Sequence, residues 1–136
     1  MRVLHHVGIA VHSLEERLEL YRALGLSVEG TETVASEKVR VAFLPVEGSR
    51  IELLEATAPD SPIAAAIAKR GEGLHHLCFQ VEDIRAAMAS LAQRGYQLLS
   101  DEPRRGAHGA QVCFVHPKSA GGVLIELWQD GVGGGR

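Results

Sequence analysis

An internal repeat constrains the fold of this chain more than any other feature of its sequence. Two segments match at a constant offset of 70 residues, without a gap, over about 25 residues. Two copies are too few for a solenoid, so the repeat predicts a duplicated unit of about 65 residues. The matching positions are Leu4-His5-His6 with Leu74-His75-His76, Val11 with Val81, Leu14 with Ile84, Leu18 with Met88 and Gly25 with Gly95.

Each copy begins with a strand pattern and continues as a helix. In the first copy apolar residues alternate with small or polar ones over 7–11, which is typical of a strand with one buried face. Ser13 and Glu16 then form a capping-box pattern, and the helix that follows is expected to end at Gly25. The second copy repeats this order, with a helix predicted within 83–95.

Strand-like runs follow each helix, so each copy predicts a βαβββ unit and the chain predicts an α+β fold. We expect one domain over 1–130, made of two repeats at about 3–58 and 73–129. A short helix over about 61–70, opening at Pro62, is expected to link them, and the glycine-rich end 131–136 is expected to be disordered. The strand-like runs cover about 26–33, 39–44 and 50–55 in the first copy and 96–100, 111–115 and 123–128 in the second.

Composition and charge exclude several classes of protein. The 136 residues include 14 basic and 17 acidic side chains, and the net charge of −3 argues against a nucleic-acid-binding protein. No apolar run reaches the roughly 18 residues of a membrane span, and the N-terminus lacks a signal-peptide pattern. The two cysteines, Cys78 and Cys113, suit a reducing compartment. We therefore expect a cytoplasmic protein that binds neither nucleic acid nor membrane.

Two histidines and two glutamates occupy equivalent positions in the two copies. His6 lies on the strand face opposite the apolar residues that should pack under the helix, and His76 has the same place in the second copy. Each copy also ends in an apolar strand that carries one acid, Glu52 or Glu126. A carboxylate inside such a strand is costly unless it is paired, hydrogen-bonded or bound to a metal. Because imidazoles and carboxylates suit a divalent transition-metal ion, the four residues predict a metal site with open positions.

The sequence over about 1–130 resembles the vicinal oxygen chelate superfamily, whose members pair two βαβββ modules around a divalent metal. Within that superfamily the chain is similar to the methylmalonyl-CoA epimerase family. The strongest discriminator is the long segment His116–Glu126, because the glyoxalase branch usually has an Asp-Pro-Asp-Gly type of turn there. The other matching segments are Leu4–Val11, Ile51–Glu55, Asp60–Ile63, Gly73–His76 and Asp101–Arg104.

The resemblance implies a curved mixed sheet around a metal centre, the glyoxalase fold. The family's ligands carry over to His6, Glu52, His76 and Glu126, although some relatives have Gln at the position of Glu52. Co²⁺, Mn²⁺, Zn²⁺ and Ni²⁺ all accept such ligands, so the identity of the metal is left open. The resemblance also implies a homodimer.

The reaction that the resemblance implies is the epimerisation of (2R)- and (2S)-methylmalonyl-CoA through loss of the α-proton and an enolate. A metal would stabilise the enolate, and inversion needs a base on one face and an acid on the other. Glu126 is similar to the family residue that serves both as ligand and as one base. The family's position for the second base falls at Val41 here, so Glu37 close by, or a metal-bound water, is the hypothesis for that role.

An acyl-CoA substrate carries phosphates, so a basic rim is expected around its binding site. Arg104, Arg105 and Lys118 are predicted to lie in loops on either side of the 111–115 strand and to contact the CoA. The glycine-containing stretch 106–110 is interpreted either as a loop that closes over substrate or as a simple turn.

Two other functions are compatible with this pattern. A glyoxalase I-type lactoylglutathione lyase has a similar His, Glu, His, Glu set of metal ligands, but the segments at 116–118 and 60–62 favour the epimerase. A non-enzymatic small-molecule-binding protein of the same fold usually lacks the four ligands and lines its cavity with aromatic residues. Aromatic residues make up only 4% of this chain, which favours an enzyme.

Overall fold

The computed structural model describes residues 3–131, which contain eight β-strands and three α-helices. The chain forms two compact units: the first unit is His6–His75, and the described part of the second unit is 76–131 together with 3–5. Except for Gly131, the tail expected to be disordered lies outside the described residues. The strands are β1 (Val3–Ala10), β2 (Gly30–Val34), β3 (Val39–Val46), β4 (Ser49–Ala56), β5 (Gly73–Gln80), β6 (Arg104–Arg105), β7 (Gln111–Val115) and β8 (Ile125–Gln129). The helices are α1 (Leu14–Ala23), α2 (Pro62–Arg70) and α3 (Ile84–Gln93).

In the first unit the strands pair in the order β2-β3-β4-β1. β3 is antiparallel to both of its neighbours, whereas β1 runs parallel to β4 with Gly8 opposite Glu52. A parallel pair needs a long connection between its strands, and α1, β2 and β3 supply it. This topology brings the first and last strands of the repeat side by side.

Helix α1 covers one face of the first unit's sheet. The Ser13 hydroxyl accepts a hydrogen bond at 3.2 Å from an N–H in the first turn, which caps the helix. Leu14 and Leu18 lie on one helix face, since they are four residues apart, and share a core with Leu53 of β4. Burying one such side chain stabilises the fold by about 1.5–3 kcal/mol. Because neighbouring strand residues point to opposite faces, Glu52 points away from this helix.

The second unit repeats the arrangement, with strands in the order β5-β8-β7-β6. β5 is parallel to β8, and β7 is antiparallel to both β8 and β6. The Asp83 carboxylate caps α3 by accepting a hydrogen bond from a first-turn N–H at 3.1 Å. Ile84 and Met88 on this helix form a core with Leu127 of β8. The α+β fold built from two βαβββ repeats is therefore confirmed.

Helix α2 follows β4 at the predicted place. The Ser61 hydroxyl accepts a hydrogen bond from the Ile63 N–H at 3.0 Å, and Pro62 occupies the first helical position, where no N–H is needed. The helix ends at Gly71, whose φ of +81° favours glycine. None of the helices in the described residues is long and apolar enough to cross a membrane.

Two strand predictions are wrong in extent. β2 begins at Gly30 rather than near 26, because Leu26 and Val28 pack against the core under α1 instead. The run 96–100 is not a strand: Leu98 makes one isolated bridge to Val115 and also packs against the core of the second unit. In both cases the apolar residues that predicted a strand pack instead into the core between the sheet and a helix.

The loop prediction for the basic residues of the second unit is also wrong. Arg104 and Arg105 form β6, which pairs with Val112 and Gln111 of β7. Gly106 follows this strand, and an added Cβ there would lie 2.7 Å from a Val112 methyl group, so a larger residue would force Val112 to shift. Lys118 lies in a short 3₁₀ helix, Pro117–Ala120, that precedes β8.

Candidate functional site

The first histidine–glutamate pair lies in the first unit, on the sheet face that α1 leaves uncovered. His6 is 1% exposed and Glu52 is 4% exposed, and the His6 Nδ1 atom lies 3.1 Å from a Glu52 carboxylate oxygen. The β1–β4 register explains the meeting, because Gly8 lies opposite Glu52 and His6 is two residues earlier on the same face. Gly8 and Ala10 leave room around the ring. We call this surface the His6 face of the first unit.

The second pair has the equivalent position in the second unit. The His76 Nε2 atom lies 2.9 Å from a Glu126 carboxylate oxygen, and these residues are 8% and 6% exposed. Glu126 lies opposite Cys78 in β5 and opposite Phe114 in β7. The His76 ring meets the Phe114 ring edge to face, with centroids 6.1 Å apart, which fixes its orientation. Each repeat therefore buries one imidazole against one carboxylate.

The chemistry of these donors fits a divalent transition-metal ion. Imidazole nitrogens and carboxylate oxygens bind Zn²⁺ at about 2.0–2.2 Å, so two ligand atoms at right angles on such an ion lie about 3 Å apart. The nitrogen–oxygen distances of 3.1 and 2.9 Å have this spacing. In the second pair the 2.9 Å distance also allows a hydrogen bond, which would satisfy those two buried groups without an ion.

In the row of side chains beside Glu52, an apolar residue occupies the position at which the family resemblance places the second base. Phe43 of β3 lies opposite Glu52, and Val41 lies two residues away on the same face. Val41 is buried and has no group that transfers a proton, so it cannot act as a base. Glu32 of β2 lies opposite Val41, and the sequence reasoning missed this half-buried carboxylate. The sequence of 30–34, Gly-Thr-Glu-Thr-Val, has no apolar alternation that would have shown which face Glu32 occupies.

Glu37 lies outside that row. It ends a 3₁₀ turn, Ala35–Glu37, between β2 and β3, and it is half-buried. Lys38 follows with a φ of +53°, in the left-handed region, and turns the chain into β3. The turn therefore holds Glu37 just before the strand that carries Val41.

An arginine on the His6 face was also missed by the sequence reasoning. Arg50 is two residues before Glu52 in β4, so both side chains leave the sheet on the same face. The Cζ atom of Arg50 lies 5.5 Å from the centroid of the Phe43 ring, a cation–π contact. Alternation along 50–56 was the signal that could have shown this cation beside the acid.

The predicted CoA-binding residues are only partly brought together. Arg104 and Arg105 are exposed and line a surface groove of about 610 Å³ in the second unit, together with His108. Lys118 is not among the residues of this groove. Its backbone N–H donates to His116 Nδ1 at 3.0 Å, so His116 caps the 3₁₀ helix rather than serving as a free base.

Ring stacking and hydrogen bonds hold Trp128 of β8 in the second unit. The rings of His5 and Trp128 are stacked with centroids 4.2 Å apart. The Trp128 Nε1–H donates to Asp130 at 3.0 Å, and the Gln80 amide donates to the other oxygen of that carboxylate at 3.0 Å. These bonds satisfy the buried indole and give Trp128 a structural role.

The cysteines do not form a reactive thiol site. Cys78 and Cys113 are both buried, and they are not joined by a disulfide. Burial raises the pKa of the Cys113 thiol, which keeps it protonated and weakly nucleophilic at neutral pH. Thiol chemistry therefore gains no support from either residue.

Comparison with known proteins identifies the family of this chain. The model of the glyoxalase/bleomycin resistance protein/dioxygenase superfamily matches residues 5–114. The chain is 43% identical over 129 residues to an ethylmalonyl-CoA/methylmalonyl-CoA epimerase of Cereibacter sphaeroides. The matched region covers 93% of this chain and 96% of that protein. It is also 41% identical over 128 residues to the mitochondrial methylmalonyl-CoA epimerase of Mus musculus, and this match covers 93% of this chain and 72% of that protein.

A solved structure extends the similarity to three dimensions. A methylmalonyl-CoA epimerase in complex with methylmalonyl-CoA and NH₄⁺ superposes with a TM-score of 0.90 at 40% identity, covering 96% of this chain and 95% of that one. At this identity and coverage the relatives share both fold and sequence with nearly the whole chain. The chain therefore belongs to the glyoxalase/bleomycin resistance protein/dioxygenase superfamily and, within it, to the methylmalonyl-CoA epimerases.

Proposed function

We propose that this chain interconverts (2R)- and (2S)-methylmalonyl-CoA in a metal-dependent reaction. The observation that carries the proposal is the pair of buried histidine–glutamate contacts, one in each repeat. The names of the relatives, two epimerases acting on methylmalonyl-CoA and one structure bound to it, supply the substrate. A purely structural role for four buried ionisable groups would be costly, because apolar residues would fill the same space without desolvation.

We propose that His6, Glu52, His76 and Glu126 together hold one divalent ion. In support, each is buried, each repeat offers one nitrogen and one oxygen donor, and the donor types suit Co²⁺, Mn²⁺, Zn²⁺ or Ni²⁺. When bound, such an ion supplies Lewis-acid stabilisation of the negative charge that develops on the thioester oxygen of the substrate. Burial of the ligands strengthens every charge interaction in their surroundings.

The proton transfers are assigned to carboxylates of this chain. In one direction a carboxylate takes the proton from C2, and the C–H electron pair becomes the enolate π bond. An acid on the opposite face then gives a proton back to C2, so that the configuration is inverted and no atom is gained or lost. We assign one of these roles to Glu126 and the other to Glu37. Because Val41 of β3 has no group that transfers a proton, the second role is assigned to a residue outside that strand.

The CoA moiety is assigned to the basic surface of the second unit. Arg104 and Arg105 are exposed neighbours in β6, and a planar guanidinium binds phosphate oxygens in a bidentate way. Lys118 is proposed as a further contact because its side chain lies in the turn before β8. The groove that the two arginines line has room for a nucleotide phosphate.

The test is α-proton exchange. The metal-loaded protein is incubated with methylmalonyl-CoA in D₂O, and deuterium at C2 is followed by mass spectrometry against a control without protein. Exchange far above background that is lost on chelation supports the proposal. Background exchange by a protein that contains metal overturns it, and the hemithioacetal of methylglyoxal and glutathione is then the substrate for a glyoxalase assay.

We also propose that the chain acts as a cytoplasmic homodimer. β2 lies at an edge of the first unit's sheet, and an edge strand is where a second chain can add. Light scattering coupled to size-exclusion chromatography measures the molar mass directly. A mass of one chain, about 14.6 kDa, at micromolar concentration contradicts the dimer.

A further inference from the structure

An aromatic side chain of β7 lies beside the histidine–glutamate pair of the second unit. Phe114 is directly opposite Glu126 of β8, so the two side chains leave the sheet on the same face. The Phe114 ring also meets the His76 ring at an interplanar angle of 87°. One residue of a neighbouring strand is therefore next to both members of the pair.

The backbone of Phe114 is held from two sides. Its carbonyl accepts a hydrogen bond from the Leu99 N–H at 2.9 Å, on the edge of β7 that faces away from β8. Phe114 and Glu126 therefore form a pair without mutual backbone hydrogen bonds, the kind of cross-strand pair whose side chains lie closer together. The neighbouring Cys113 is buried in the core under α3 and fixes the strand from its other face. The ring thus projects from a rigid support.

The first unit has a phenylalanine in the equivalent place, with a different contact for its ring. Phe43 of β3 lies opposite Glu52, as Phe114 lies opposite Glu126. The Phe43 ring supports the guanidinium of Arg50, whose Cζ atom is 5.5 Å from its centroid. An aromatic residue across from the glutamate is thus common to both repeats, and in the second repeat its ring supports an imidazole.

This contact determines which way the imidazole points. The χ2 torsion of a histidine has broad preferences, so rotamer choice alone does not direct its nitrogens. The centroid distance of 6.1 Å lies in the range over which edge-to-face rings attract each other. The neighbouring ring therefore helps to keep the His76 Nε2 atom toward Glu126, at 2.9 Å from its carboxylate. A ligand that is already oriented loses less entropy when it binds an ion.

We propose that Phe114 is a positioning residue that sets the affinity of the His76–Glu126 pair for a divalent ion. The inference rests on the proposed function, because it takes these two residues as ligands. Phe114 offers no nitrogen, oxygen or sulfur atom to an ion and no proton to a substrate, so it acts through the imidazole that it holds. If its ring only filled space, replacing it would change the free energy of unfolding but not the way in which the ion is bound.

The experiment compares three substitutions by titrating each chelated protein with Co²⁺. Phe114→Leu removes the ring and stays apolar, whereas Phe114→Tyr keeps the ring. Phe79→Leu is the matched control, because it removes a ring of the same unit that packs against the core on the opposite face of the sheet. The visible absorption of Co²⁺ gives the Kd and reports the coordination geometry. Thermal unfolding of the metal-free proteins measures the loss of packing separately.

Phe114→Leu is expected to weaken Co²⁺ binding by about 2- to 10-fold, the value of one edge-to-face ring pair, and to shift the absorption bands. Phe114→Tyr should restore both. Phe79→Leu should lower the Tm and leave the Kd and the bands unchanged. An unchanged Kd and spectrum in Phe114→Leu overturns the positioning role, and so does an equal loss of affinity in Phe79→Leu. If Phe114→Leu fails to fold by circular dichroism, Phe114→Met must weaken Co²⁺ binding for the inference to stand.

The α-proton exchange assay, run in parallel, separates this inference from the proposed function. If Co²⁺ binding depends on the Phe114 ring but the original chain exchanges no α-proton, the proposed reaction fails and the positioning role stands. If exchange proceeds and Phe114→Leu binds Co²⁺ like the original chain, only the positioning role fails. Lack of Co²⁺ binding by the original chain overturns both the positioning role and the metal dependence of the proposed reaction.

Discussion

The His6 Nδ1 atom lies 3.1 Å from a carboxylate oxygen of Glu52, in a strand pair whose other face is filled by the core of the first unit. The pair is rigid for that reason: the apolar neighbours Ile51 and Leu53 hold β4 against α1, and the alternation of the strand then fixes the direction of Glu52. His76 and Glu126 are held in the same way by Leu127. A ligand pair on a packed strand keeps its geometry when no ligand is bound, which lowers the cost of binding one.

The two repeat-related glutamates are expected to respond differently to the same substitution. Glu126→Gln removes the base that we assign to one face of the substrate and should lower kcat by about 10²–10⁴-fold. Glu52→Gln keeps an oxygen ligand and should cause a much smaller loss. Steady-state rates of epimerisation by both variants check this, with metal content measured on the same samples. Equal losses in the two variants would show that Glu126 acts as a ligand alone.

Metal binding is expected to raise thermal stability. An ion present at 100 times its Kd adds about 2.7 kcal/mol to the free energy of unfolding, which raises the Tm of a chain of this size by roughly 10 °C. Thermal unfolding of the chelated protein, with and without added Co²⁺, measures the shift. His76→Ala should abolish most of it. His12→Ala removes an exposed histidine and should keep it; loss of the shift in both variants would point to non-specific binding.

Much of the site was predictable from sequence because the repeat fixes it twice. Apolar residues on both sides of Glu52 and of Glu126 show which face packs under a helix, and that places each acid on the other face. The histidines follow from the same alternation in β1 and β5. Local pattern is sufficient here, since each side chain is set by its own strand.

The remaining features depend on pairing between strands, which local pattern does not specify. That Glu32 lies opposite Val41 depends on the register of β2 and β3, which the turn over 35–38 sets. The run 96–100 has the alternation of a strand, but Leu98 is drawn into the core and the edge of β7 is taken by β6 instead. The contact of Arg50 with Phe43 likewise needs the register of the hairpin.

The second base is tested by separating exchange from inversion. If Glu37 acts on one face of C2, Glu37→Gln should lose epimerisation while Glu126 still exchanges the α-proton of one epimer with D₂O. Mass spectrometry of each purified epimer, incubated separately, detects this one-sided exchange. Glu29→Gln, an exposed acid before β2, is the control and should behave as the original chain.

Glu32→Gln belongs in the same experiment because Glu32 lies opposite Val41. One-sided exchange in Glu32→Gln, with normal inversion in Glu37→Gln, would transfer the second role from Glu37 to Glu32. Normal inversion in both variants would remove both carboxylates from the mechanism. The three outcomes are distinct, since each predicts a different pair of exchange rates.

Acid unfolding should depend on Glu72, which ties the end of α2 to the start of α1. Its carboxylate accepts a hydrogen bond from the Arg17 guanidinium at 2.9 Å and one from the His12 backbone N–H at 2.9 Å. Both donors lower the pKa of Glu72, and Arg17 has the larger effect. A carboxylate whose pKa is lowered by folding stabilises the fold above its ordinary pKa, near 4.5, and loses this effect as the pH falls through the lowered value. Urea midpoints of Glu72→Gln should therefore be lower than those of the original chain at neutral pH and converge with them in acid. Glu29→Gln should show no such convergence, and parallel curves for Glu72→Gln across the whole range would contradict the linkage.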